Sequence, residues 1–234
     1  MQVRTATLED VSVIMILVSR VVPLMLVSGN LQRDESYPNA EVFISDINKG
    51  QLWLAESDGQ IAGVAAITTD QDPEYAEVGW DLDELSIVVH RLAVDPGFQG
   101  KGVARALMNH AELVARSKNI LVLKVDTNIN NALTQSLFPR LGYLAVGEIS
   151  LNLRPGQRFK CYEKRLQMPN METFLQKHGQ GGFRHAEKLL EFIHSGNASL
   201  ISTPREIGSS CSYYLQLYRM RAQNLMRFDS THCL

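Results

Sequence analysis

The stretch of this sequence most able to do chemistry is Arg91 to Arg105, RLAVDPGFQGKGVAR. An apolar run stops at Asp95-Pro96-Gly97, and a helical pattern opens through Gln99-Gly100-Lys101-Gly102-Val103-Ala104. The first amides of a helix have no partner within it and sit at the positive end of its dipole, so such a turn attracts phosphate. Glycines at 100 and 102 let the backbone approach an anion with no Cβ in the way. Two other phosphate-binding patterns fail. A P-loop needs Ser or Thr after its Gly-Lys, but Gly102 follows Lys101, and a dinucleotide fingerprint needs a third glycine where Arg105 stands. A glycine-softened connection with no ligand is the alternative. Three further groups could move protons. Asp126 closes the run LKVD, His90 lies in LSIVVHRLAV and offers an imidazole suited to a base, and Glu84 stands at the mouth of that run, where it could act through water. Each has a plain structural alternative: a turn-capping acid, a hydrogen-bonded histidine and a solvated loop acid, respectively.

These groups need a scaffold, and hydrophobic periodicity supplies one. Gln2 to Ala6 reads as a strand, Val11 to Ser28 as a long buried helix kinked at Pro23, and Asn39 to Lys49 as a shorter helix. QLWLAES and QIAGVAAITT flank Asp58-Gly59, a hairpin turn pair. LSIVVHRLAV suits a buried strand, and Val103, Leu107, Ala111 and Val114 recur at helical spacing between Gly102 and Arg116. ILVLKVD, NALTQSLFPRL, YLAVGEISLN and RFKCYEKRL continue as strand, helix, strand, strand. Alternation first and strands later predict an α/β fold with a mixed sheet.

Composition narrows the class. Of 234 residues, 45% are hydrophobic and 21% charged, which argues for a folded globular chain. A net charge of -2 argues against nucleic acid as partner. Cys161, Cys211 and Cys233 are few and widely spaced, giving neither a disulfide framework nor a zinc pattern, and predict a reducing, cytoplasmic setting. The apolar run at 11–28 contains Arg20 and Pro23 and follows Glu9-Asp10, so it reads as a core helix rather than a membrane span or signal peptide. Charge shifts from -4 over residues 1–167 to +2 over 168–234. The second part carries two amphipathic stretches and reads as a helical C-terminal extension that docks on the main domain or pairs two subunits. His178, His185, His194 and His232 match no metal-ligand spacing.

Gln99-x-x-Gly102-x-Ala104 directly after LAVDP resembles the acyl-CoA pyrophosphate loop of the GNAT superfamily of N-acetyltransferases. VDTNINNALTQSLFPRLGY is similar to the family's strand, Asn, helix and closing Leu-Gly-aromatic. The resemblance covers about residues 1–167. It implies a mostly antiparallel central sheet flanked by helices, with Leu92, Ala93 and Val94 along the pantetheine arm. It also implies that the backbone of Gly100, Lys101, Gly102, Val103, Ala104 and Arg105 holds the pyrophosphate, beside Gln99 and Asn131. Asp126 falls where some members carry a carboxylate base. One residue departs from the pattern: Phe138 stands where the family often has a tyrosine that protonates the leaving thiolate. Either solvent protonates the thiolate or another group, such as Tyr143, replaces that tyrosine. Pro139 next to it would remove a helical donor.

The expectation is a cytoplasmic N-acetyltransferase that passes an acetyl group from acetyl-CoA to a primary amine, small molecule or peptide, by direct attack in a ternary complex. No metal, nucleic acid or membrane is expected, and a homodimer through the extension is one arrangement. Seven acids and no base between Asp70 and Glu84 would draw a cationic amine, or simply form a solvated loop. The rival reading is a noncatalytic acyl-CoA-binding module whose extension meets a partner.

Overall fold

The computed structural model describes residues 1–33 and 37–167. The expected helical extension, with its four histidines, lies outside the described residues. Strand β1 (Gln2–Thr5) leads to helices α1 (Val11–Val27) and α2 (Ala40–Asn48), then to strands β2 (Leu52–Ser57), β3 (Gln60–Thr68) and β4 (Ser86–Val94). Helix α3 (Val103–Ser117), strand β5 (Val122–Asn128), helix α4 (Ala132–Arg140) and strands β6 (Leu144–Ile149) and β7 (Phe159–Arg165) complete the domain. The seven strands form one sheet in the order β1-β2-β3-β4-β5-β7-β6.

Local chemistry sets the boundaries. Asn39 caps α2 by accepting from the Val42 amide at 3.0 Å. Asp58 and Gly59 both take left-handed φ, 53° and 73°, as a two-residue hairpin between twisted strands requires. Helix α1 runs through Pro23 as one continuous element. Its burial is also one-sided. Ile14, Leu17, Val18, Val21 and Val22 pack inward, whereas Val13, Ile16, Leu24 and Val27 are exposed. By length and hydropathy alone Leu8–Val27 could cross a membrane; here its inner stripe lies on the sheet.

Two layers of core sandwich the sheet. Helices α3 and α4 bury Val103, Leu107, Met108, Ala111 and Phe138 on one face against Ile67, Val89, Leu123 and Val125. Helices α1 and α2 cover Leu52, Leu54, Val64 and Ala66 on the other. A third cluster, with Tyr75, Trp80, Val88, Ile149, Phe159 and Cys161, sits further along that second face.

Every neighbouring pair is antiparallel except β4 and β5. That parallel pair is joined only over Ser86–Val88 and Val122–Lys124. Beyond these residues β4 stays on β3 and β5 stays on β7, so the sheet opens into a gap. A bulge helps to make it: from His90 to Ala93 β4 advances three residues while β3 moves two, from Ala66 to Val64. Arg91 occupies the bulge with φ 56°, left-handed for a residue with a Cβ, and Asp46 of α2 holds its guanidinium from both sides at 2.7 and 2.8 Å.

Candidate active site

The gap between β4 and β5 opens into a cavity of about 830 Å³. On its β4 edge the Asp95 amide donates to Ala62 O on β3 at 2.9 Å. Amides alternate between the two edges of a strand, so the Leu92 and Val94 peptide groups face the gap instead. There a ligand could pair with them as an added strand would. Ala93 lines the cavity, but its own peptide group is turned toward β3.

Where β4 ends, the turn is built by Asp95. Its carboxylate accepts from the Gly97 amide at 2.8 Å and from Arg20 of α1 at 3.0 Å. Gly100 and Gly102 then adopt φ of 74° and 83°, and a Cβ at either would meet nothing within 4 Å. The chain therefore leaves open space beside two left-handed residues, and the amides of Gly100, Gly102, Val103, Ala104 and Arg105 have no backbone acceptor among the described residues. Five free donors at the start of α3 fit a diphosphate. Gln99, Gly100, Gly102, Val103, Ala104, Arg105 and Asn131 all line the cavity. Lys101 does not: its amide is turned back to Phe98 O at 3.3 Å and its ammonium lies 4.8 Å from the Phe98 ring centroid. Asn131 caps α4 through its side-chain oxygen, 3.3 Å from the Thr134 amide, which leaves its amide nitrogen for a ligand.

The proton-handling groups meet across the gap. Register places Val88 opposite Lys124 and Asp126 opposite Cys161, so His90 and Asp126 project from the same face of the splayed strands. One ligand-capable atom each from Asp72, His90 and Asp126 lie within 4.8 Å of one another. Asp126 Oδ1 accepts from the Tyr75 hydroxyl at 2.6 Å, and His90 Nε2 is 3.3 Å from Asp70 O. Burial raises the Asp126 carboxyl above the ordinary carboxylate range; His90 and the Tyr75 hydroxyl pull it back down, and Asp72 adds to the rise. A carboxylate so placed binds a proton more readily than a solvated one. The same trio could also hold a metal ion.

Glu84 lies outside the cavity, its carboxylate gripped by Arg165 at 2.8 and 2.9 Å. Phe138 lines the cavity, buried against Tyr162 and Tyr143 with ring centroids 5.2 and 6.0 Å away, and it offers no proton. Tyr143 is not among the lining residues. Pro139 falls in the last turn of α4, where its missing amide removes the helical hydrogen bond to Gln135 O, as expected.

Sequence reading missed Asp72, Tyr75, Asp95 and Arg33. The run from Asp70 to Glu84 reads as a solvated loop, yet Tyr75 and Trp80 within it are buried and close one side of the site. Those two aromatics among seven acids were the available signal. Asp95-Pro96-Gly97 announced a turn, but not that the aspartate would brace it.

A splayed sheet with free strand amides, a diphosphate-sized turn and a raised carboxylate across the gap defines a protein of the acyl-CoA-dependent acetyltransferase class. Residues 26–143, half of the chain, match the acetyltransferase (GNAT) family, and the chain belongs to that family. Among curated relatives, N-acetylaspartate synthetase of Danio rerio is 28% identical over 105 residues, 45% of this chain and 33% of that protein. N-acetyltransferase 8B of Mus musculus is 25% identical over 115 residues, 46% of this chain and 47% of that protein. The chain thus spans between a third and a half of the relatives it matches. Among solved structures, a GNAT acetyltransferase from Streptococcus agalactiae superposes with TM-score 0.62 at 25% identity, over 71% of this chain and 96% of that one. The structure of yncA from Salmonella typhimurium with its cofactor acetyl-CoA shares the fold, with TM-score 0.55 at 16% identity over 73% of this chain and 96% of that one.

Proposed function

We propose that this chain is an N-acetyltransferase that moves an acetyl group from acetyl-CoA to a primary amine in a ternary complex, in a cytoplasmic setting and without a metal. The observation that carries the reading is the raised Asp126 carboxyl facing the same cavity as the five free amides from Gly100 to Arg105. Acetyl-CoA supplies an acyl carbon activated as a thioester. The amides of Gly100 and of Gly102 to Arg105 hold its diphosphate, and the Leu92 amide and Val94 carbonyl align the pantetheine arm. Asp126, with His90 beside it, takes a proton from the amine, whose nitrogen forms the new C–N bond as the C–S bond breaks. The Val94 amide meets the charge developing on the carbonyl oxygen. Sulfur leaves as thiolate and solvent protonates it, because Phe138 has no hydroxyl. Fixing donor and amine together supplies a large part of the rate.

The pure protein, mixed with acetyl-CoA and an amine panel, should release free thiol above the hydrolysis rate, and EDTA should leave that rate unchanged. A noncatalytic acyl-CoA-binding module is the second reading, favoured by Phe138. It predicts CoA binding by calorimetry with no amine-dependent thiol release.

A further inference from the structure

Arg33 lines the cavity, and the transfer chemistry leaves it unexplained. It is 4% exposed, and only one end of its guanidinium is engaged: Nη2 donates to Leu92 O at 2.8 Å. Nη1 is buried with no hydrogen-bond partner. Among the described residues no carboxylate pairs with it. The nearby Arg91 is no help, being itself a cation already matched by Asp46. Burial pushes the Arg33 pKa down to about 10, so at neutral pH it remains a cation. A buried, unmatched guanidinium with an idle donor is unfavourable in the free protein, where an apolar side chain would pack at lower cost. Such a group becomes favourable when an anion reaches it.

Asp72 and Asp126 line the cavity and suit an incoming ammonium. Arg33 lines it too, and its guanidinium suits a carboxylate. The Leu92 carbonyl that it touches lies within β4 and faces the gap, so Arg33 meets the strand rather than the Gly100–Arg105 turn. Resting on the transfer reading above, we propose that Arg33 determines specificity by binding a carboxylate on the amine acceptor, so that the acceptor is an amino acid.

The test compares free α-amino acids with their carboxamides, which keep the amine and side chain and lose only the anion. The carboxamide's amine is the less basic of the two and more of it is neutral at pH 7, so a preference for the acid cannot arise from amine ionisation. In the unmodified protein the acid should have a kcat/KM at least about ten-fold above its amide. Arg33→Gln should erase that ratio by raising KM for the acid, leaving both amide turnover and CoA affinity by calorimetry unchanged; Arg33→Lys should restore part of it. Equal kcat/KM for acid and amide, or acetylation confined to amines lacking a carboxylate, overturns the Arg33 assignment while acyl transfer stands. Loss of CoA affinity in Arg33→Gln assigns the residue to the donor and overturns it as well. If no amine of any kind releases thiol, the transfer reading itself falls and this one with it. Should Arg33→Gln fail to fold, the acid-to-amide ratio of the unmodified protein decides alone.

Discussion

The carboxyl of Asp126 is kept half-buried at some cost to the fold, and the sign of that cost can be stated. Its folded pKa lies above the model-peptide value, so the folded state binds the extra proton and stability falls as pH rises through the interval between the two. At neutral pH an ionised Asp126 is a burden. Asp126→Asn should therefore leave the melting temperature equal or higher while reducing kcat by about 10²–10⁴ and sparing CoA affinity. The acid limb of the pH–rate profile, placed above the usual carboxylate range, should vanish with it. A melting temperature well below that of the unmodified protein would mean that Asp126 is structural. Asp10 shows the opposite sign. Hydrogen bonds from Arg4 hold its carboxyl down at about 2, so its contribution is present above the unfolded value and lost as pH falls toward 2. Arg4→Ala should flatten that acid-side loss and cost about 1 kcal/mol at pH 7, measured by urea denaturation. At this scale the sequence showed Asp126 and His90 as candidates because strand ends and titratable residues can be counted along a chain. It could not show Tyr75 or Arg33, whose meaning lies in burial, and burial depends on what packs over a residue from far along the chain.

Among the elements, the strand–turn–helix from β4 to α3 was the most legible, because a turn that must expose backbone leaves glycines behind. Less visible was how closely α3 approaches the sheet. Gly63 lies in the middle of β3, and a Cβ there would sit 2.5 Å from Val103 Cγ1 and 2.9 Å from Ala93 O. The missing side chain lets the start of α3, with its free amides, lie directly on the strand beneath. Gly63→Ala must push that helix end away, at about 1–3 kcal/mol of stability, and should weaken CoA binding by about ten-fold through misplaced amides. Calorimetry and thermal melting would report both, and an unchanged affinity would show that the turn moves independently of α3. Gly102 makes a different case: with open space around it, Gly102→Asp meets no clash and acts through charge and left-handed strain. A loss of about 10²-fold in CoA affinity is expected, and retained affinity would remove the diphosphate from this turn. Helix α1 misled in one respect. Its run of apolar residues reads as buried on all sides, whereas only the stripe from Ile14 to Val22 reaches the core.

At the scale of the molecule, the two parts of the sheet, β1–β4 and β5–β7–β6, meet through three residue pairs and then diverge. A donor lying in the gap would touch both. CoA at one hundred times its Kd should therefore stabilise the protein by about 2.7 kcal/mol, seen as a rise in melting temperature. Slower amide exchange should appear in β4 and β5 together, and protection confined to β4 would mean that the gap is not bridged. The alternation of strands and helices made this architecture readable in advance. The divergence was implied only by the family resemblance, since it depends on pairing partners rather than on any residue's own preference. One further feature constrains how the protein can change. Lys124, fully buried on β5, donates to Gln71 Oε1 at 2.7 Å and Asp81 O at 3.3 Å, with the Trp80 ring centroid 5.0 Å away. The ammonium acts as a rivet through both ends of the segment that carries Asp72 and Tyr75. Inserting or deleting residues between the two fastened points would orphan a charge deep inside the protein. Descendants of this sequence can thus exchange the outward-facing Ala76 and Glu77, but not alter the length of the segment.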